Sequence, residues 1–190
     1  EALAFMRRNI DAWWPHVENG AEAIAMTASG CGVMVKDYGY QLAHDPQYAE
    51  KAARVSAMTK DVSEVLASEA ARLQALLTPL AQPTRVAFHS PCTLQHGLRL
   101  KGAVESVLSA LGYEVVPVRD SHLCCGSAGT YSLLHPDLAR RLRDDKLDAL
   151  TSPKPDHIVT ANIGCQTHLQ SGTPRRVRHW VELLAERLQA

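Results

Sequence analysis

The residues with the most chemical potential are five cysteines among 190 residues. Two of them, Cys124 and Cys125, stand side by side in the stretch SHLCCGSAGTY. The second half of the chain reads Cys92, 31 residues, Cys124-Cys125-Gly126, 38 residues, then Cys165-Gln166-Thr167-His168. Four thiols and an imidazole make a full metal-ligand set. Zinc could take four of these ligands in tetrahedral geometry. Adjacent cysteines project in divergent directions, however, and closing both on one small ion strains the backbone. A cluster lets each thiol take a different iron, and Gly126 and Gly129 let the backbone come close to it. Iron-sulfur is therefore the better physical reading and zinc the second. His168 follows Cys165 by one helical turn on the same face and is a further candidate ligand. His89, His96 and His122 also lie near cysteines and are read as capping or hydrogen-bonding residues.

Competing readings of the same residues are weaker. Cys31 stands alone in the first half and reads equally well as inert core. Cys124 and Cys125 would serve a thiol-disulfide enzyme, or form a vicinal disulfide. The GSAG stretch lacks the lysine and the length of a phosphate-binding loop, and no G-x-G-x-x-G fingerprint follows a strand. Nothing selects one cysteine as the nucleophile of a Cys-His protease.

Lysine plus arginine and aspartate plus glutamate number 20 each, so no basic footprint points to nucleic acid or an acidic membrane surface. No apolar run approaches a membrane span, and there is no signal-peptide pattern. A soluble, cytoplasmic protein is expected, and in that compartment an odd cysteine count favours metal or redox chemistry over a disulfide framework. The length suits one domain or two small lobes. The chain begins EALAFMRRNIDAWW, in helical pattern and without an initiator methionine, which predicts a fragment of a longer protein.

Helices must alternate with strands to place these cysteines. Leu3, Met6, Ile10, Trp13 and Trp14 form an amphipathic stripe over residues 2–17. AEAIAMTASG reads as a buried strand leading into Cys31. Residues 45–78 read as two helices, the first opening at Asp45-Pro46. LTPLAQPT, with two prolines, is the expected connection between lobes. RVAFHS is a strand before Cys92, LKGAVESVLSALG a helix closed by Gly112, and YEVVPV a strand before the double cysteine. Residues 136–150 are helical, DHIVTANI is the last strand before Cys165, and HWVELLAERLQ is a terminal helix. This order implies an α/β fold of Rossmann-like βα units with mainly parallel sheets. Each cysteine then lies past the carboxyl end of a strand, the edge at which such sheets bind ligands. The nearby helix N-termini favour thiolates there.

An internal repeat is also visible. NIDAWWPHVENGAEAIAMTASGCGVM and KLDALTSPKPDHIVTANIGCQTH share a helix, a turn, a buried strand, a small-residue exit and Gly-Cys, so that Cys31 corresponds to Cys165. Residues 1–80 are thus expected to be the C-terminal part of a first repeat and residues 81–190 a complete second one.

HSPCTLQHG, CCGSAGTY, ANIGCQTHLQSGT and VRHW, in that order, resemble the cysteine-rich CCG domain of heterodisulfide reductase subunits and lactate-utilisation proteins. With TASGCGVMVKDYG in the first half, the similarity is greatest to the C-terminal part of glycolate oxidase iron-sulfur subunits. The resemblance implies tandem CCG repeats, the first truncated here, behind a ferredoxin-like region with two cubane clusters. It implies electron transfer from flavin-containing glycolate oxidase subunits to an acceptor such as a quinone, with no transmembrane segment and a cytoplasmic location, peripheral to the inner face of the bacterial membrane. Carried over residue by residue, the ligands of a [4Fe-4S] cluster are Cys92, Cys124, Cys125 and Cys165, with Gly126 in the same motif. The heterodisulfide reductase pattern ends in Cys-x-x-Cys, where this chain has His168. Cys31 matches the last-ligand position of the truncated repeat. A zinc-binding or metal-free docking domain, or a thiol redox protein, is the alternative.

Overall fold

The computed structural model describes residues 1–188. It divides into two compact units, Glu1–Val65 and Leu66 onward.

In the first unit, α1 (Ala2–Glu18) buries Met6 and Ile10. After it come β1 (Ile24–Met26), α2 (Ser29–Lys36), α3 (Tyr38–Gln41), α4 (Ala49–Met58), β2 (Thr59–Asp61) and α5 (Val62–Ser68). β1 and β2 pair in parallel, Ala25 opposite Lys60. Met6 and Ile10 meet Val35, Tyr38, Leu42, Ala52 and Val55 in one core. Of the predicted stripe, Trp13 packs against that core and Leu3 is exposed. The helix expected from Asp45 starts instead at Ala49. Asp45 is occupied before it: its Oδ1 accepts from Gln47 N and Tyr48 N, and its Oδ2 pairs with Arg7. The expected helix also ends early, and Thr59–Asp61 becomes β2 because pairing with β1 overrides a helical pattern at its own end.

The boundary falls within α5, whose last residues open the second unit; α6 (Ala70–Leu76) follows, and the two-proline stretch after it belongs to this unit. Next come β3 (Arg85–His89), a π-helical turn (Thr93–Gly97), α7 (Ala103–Ala110), β4 (Glu114–Val115) and α8 (Tyr131–Leu134). The remainder is α9 (Pro136–Thr151), β5 (His157–Thr160), α10 (Ile163–Gln170), β6 (Val177–His179) and α11 (Trp180–Ala185). The terminal helix expected to reach Gln189 lies in part outside the described residues, and its ordered helix stops at Ala185.

The four strands form one parallel sheet in the order β4-β3-β5-β6. β3 and β5 are central, which is why RVAFH and HIVT read as near-continuous apolar runs. β4 is an edge strand and shorter than expected, because Pro117 has no N–H to give the ladder. α7 ends as predicted: Gly112 stands just past it with φ +92. Pro136 in the first turn of α9 starts that helix without losing a bond. α11 opens with a capping box in which Glu182 Oε1 accepts from His179 N at 2.8 Å.

Leu150, Ile158 and Leu169 are fully or almost fully buried in a core that also contains Cys125 and Cys165. Trp180, the largest fully buried side chain, is 0% exposed. Trp180→Ala should therefore destabilise the chain by about 3–5 kcal/mol, measured by urea unfolding. Among the described residues no helix is long and apolar enough to cross a membrane.

Candidate metal centre

The topology reverses between β3 and β5. From β3 the chain moves outward to β4, and from β5 it moves the other way to β6. A crevice opens at the carboxyl ends of such a strand pair. His89 and Thr160, partners in register, are the last residues of the two strands. Cys92 follows β3, Cys124 and Cys125 follow β4, and Cys165 lies in the first turn of α10 after β5. Three stretches far apart in sequence thus deliver their thiols to one edge.

The thiols are near enough to interact in series. Cys92 meets Cys124, Cys124 meets Cys125, and Cys125 meets Cys165. Cys125 and Cys165 are buried, Cys124 is half-buried and Cys92 is exposed. Hydrogen bonding to Cys125, then burial, pushes the Cys124 thiol far up. The Cys124 bond pulls Cys125 down, but Cys165 and burial outweigh it and push Cys125 up to about 12. Burial, then the neighbouring Cys124, raises Cys92. Neighbouring thiolates repel, so the set ionises together only against a multivalent cation. The donor set therefore fits a metal centre on its own chemistry.

The loops that carry the thiols are tied together. Gln95 Nε2 donates to Ser90 O at 2.7 Å and to Ser121 O at 3.1 Å, joining the Cys92 and Cys124 loops. Asn162 caps α10 by accepting from Gly164 N at 2.9 Å, and its Nδ2 donates to Thr93 Oγ1 at 3.3 Å. Gly126 has φ +90, and its N–H donates to Cys124 Sγ at 3.3 Å. Its other side is filled by α9, since an added Cβ would overlap the Ala139 carbonyl oxygen. Gly126 is thus fixed by helix packing as well as by the centre. Gly129, with open space around it, is not.

His168 bonds elsewhere in the second unit, and Cys31 belongs to the first. His168 Nε2 donates to Ala139 O at 3.2 Å, on α9. Cys31 is exposed on α2 of the first unit.

Two residues that the spacing argument passed over are present instead. His89, read from sequence as capping or hydrogen-bonding, does bond: its Nδ1 lies 2.9 Å from Thr160 Oγ1. It is also buried, and one of its ring nitrogens and the Cys125 and Cys165 sulfurs lie within 4.8 Å of one another. Burial, then the charge of Lys146, lowers His89 to about 3, so its imidazole is neutral. Lys146 is 3% exposed on α9 and donates from Nζ to Asp120 O at 2.6 Å. With Cys124 it lines a cavity of about 260 Å³. The signal for His89 was its place at the end of a strand two residues before Pro91-Cys92. For Lys146 there was none, because a lysine among the charges of a helix reads as surface.

Residues 86–170 match the family model described as the CCG cysteine-rich domain. The chain is 55% identical over 189 residues to the glycolate oxidase iron-sulfur subunit of Escherichia coli K12, covering all of this chain and 46% of that protein. It therefore spans about half the length of that relative. It is 30% identical over 176 residues to lactate utilization protein A of Geobacillus thermodenitrificans, covering 88% of this chain and 71% of that protein. Motif, sheet edge and similarity along the chain agree: the chain belongs to the CCG cysteine-rich domain family.

Proposed function

We propose that the chain is the cysteine-rich, electron-transfer part of the iron-sulfur subunit of a glycolate oxidase. It would work beside flavin-containing subunits and pass their electrons to an acceptor such as a quinone. The observation that carries this reading is the gathering of Cys92, Cys124, Cys125 and Cys165 from three separate stretches at the carboxyl ends of the strands, with the Cys125 and Cys165 sulfurs within 4.8 Å of each other. Similarity to a glycolate oxidase iron-sulfur subunit supports the choice of reaction.

Cys92, Cys124, Cys125 and Cys165 would hold a [4Fe-4S] cluster, which when bound supplies a one-electron carrier. The chain's own contribution is to fix and tune it. The Gly126 N–H bonds the Cys124 sulfur and stabilises thiolate charge. Burial of Cys125 and Cys165 keeps water from two of the thiolates. Residues 1–80 would be the end of a first repeat and residues 81–190 a second repeat, within which the matched region 86–170 falls. The isolated chain, without flavin, is not expected to oxidise glycolate. A cytoplasmic location, peripheral to the membrane, accompanies this reading.

Iron and acid-labile sulfide per chain after anaerobic reconstitution, with an EPR spectrum of the reduced protein, test it. About four irons with matching sulfide are expected. One equivalent of zinc, or no metal, would favour a docking domain instead. That second reading has its own observation in the His89, Cys125 and Cys165 group, which offers three ligands to a single ion. Glycolate and lactate are separated by which of them reduces the centre in the assembled complex.

A further inference from the structure

We propose that His89 is a metal ligand of this centre, supplying a nitrogen beside the thiolates; this rests on the iron-sulfur reading above. Spacing alone directs attention to cysteines and to His168, but the geometry points elsewhere. His168 spends its Nε2 on the Ala139 carbonyl. His89 instead stands at the topological switch point, paired in register with Thr160 at the carboxyl ends of the two central strands. A His89 ring nitrogen and the Cys125 and Cys165 sulfurs lie within 4.8 Å of one another, and all three residues are buried. Ligands on one tetrahedral ion, or on neighbouring irons of a small cluster, sit a few ångströms apart, so small side-chain movements close the set.

The second ring nitrogen completes the argument. Metal-bound histidines generally give their other nitrogen to an oxygen that fixes tautomer and ring orientation. Thr160 Oγ1, 2.9 Å from Nδ1, is that oxygen here, and it leaves Nε2 for the metal. With Nδ1–H donating to the hydroxyl, Nε2 presents a lone pair.

Pulsed EPR on chain labelled with ¹⁵N-histidine, reconstituted anaerobically with iron and sulfide and then reduced, reads this directly. The expected result is a directly coupled nitrogen whose pattern changes with the isotope. It should persist in His168→Gln and vanish in His89→Gln, with the fold of each variant checked by circular dichroism. Iron bound without nitrogen coupling, or coupling that follows His168, overturns the assignment while leaving the iron-sulfur reading intact. Absence of iron from the unsubstituted chain overturns that reading instead, and cobalt(II) titration of the reduced chain then decides His89. Cobalt bound about tenfold more weakly by His89→Gln supports a nitrogen ligand, in line with the loss that perturbing a metal's supporting shell typically brings. Equal affinity removes it.

Discussion

Cys125→Ser is expected to reduce iron and acid-labile sulfide per chain by about tenfold or more, and to abolish the EPR signal of the reduced protein. Cys125 is the hinge of the thiol series: its sulfur meets Cys124 on one side and Cys165 on the other. It also belongs, with His89 and Cys165, to the group of ligand atoms that lie within 4.8 Å of one another. A serine hydroxyl ionises far less readily than a thiol and is a poor ligand for iron, so substitution leaves a gap in the middle of the set rather than at its rim. At 1% exposure, water cannot readily replace the missing sulfur. The fold should survive, because serine is close to cysteine in size, although a hydroxyl left unpaired in the core costs about 1–3 kcal/mol. Cys31→Ser, on the exposed face of α2, should leave metal content unchanged. Full metal retention in Cys125→Ser would sink the assignment of this thiol. Loss of a dithiol reductase activity with metal content intact would instead favour a thiol redox protein.

The cysteine-rich half of the chain is readable because its chemistry is tied to its punctuation. Cys92, Cys124 and Cys165 each follow a recognisable strand, and in a parallel sheet strand ends converge, so distant cysteines could be assigned to one edge. Pro136 and Gly112 likewise mark helix ends by their own backbone limits. What escaped was decided by partners. Thr59–Asp61 becomes a strand only because β1 lies alongside, and Val177–His179 only because β5 does. Neither segment is long enough to show a period of its own. The burial of Lys146 could not be seen either. α9 is strongly charged, and which of its lysines and arginines turns inward depends on where the Asp120 carbonyl ends up. His89 was visible as a residue near a cysteine. Its role depends on register, which puts Thr160 opposite it and orients the ring.

Gly126→Ala tests whether the double-cysteine loop is held to the centre by helix packing as well as by its sulfurs. Gly126 has φ +90, a conformation that costs an L-residue about 1–2 kcal/mol. An added Cβ would overlap the Ala139 carbonyl oxygen and stand 3.1 Å from both the Ala139 carbonyl carbon and Leu142 Cβ. Backbone in the first turn of α9 cannot step aside as the tip of a side chain can, so the loop must move, adding roughly 1–3 kcal/mol of overpacking. Moving it carries away the Gly126 N–H bond to Cys124 Sγ and shifts Cys124 and Cys125 relative to Cys92 and Cys165. The expected outcome is a destabilisation on the order of 2–5 kcal/mol in urea unfolding, together with loss of most bound iron. Gly129→Ala supplies the comparison three residues later. Gly129 also has positive φ, at +59, but nothing lies within 4 Å of its added Cβ. It should therefore show only the conformational cost and keep its metal. If both variants keep iron equally well, the packing of Gly126 on Ala139 does not position the thiols, and the sulfur contacts alone must hold the loop in place.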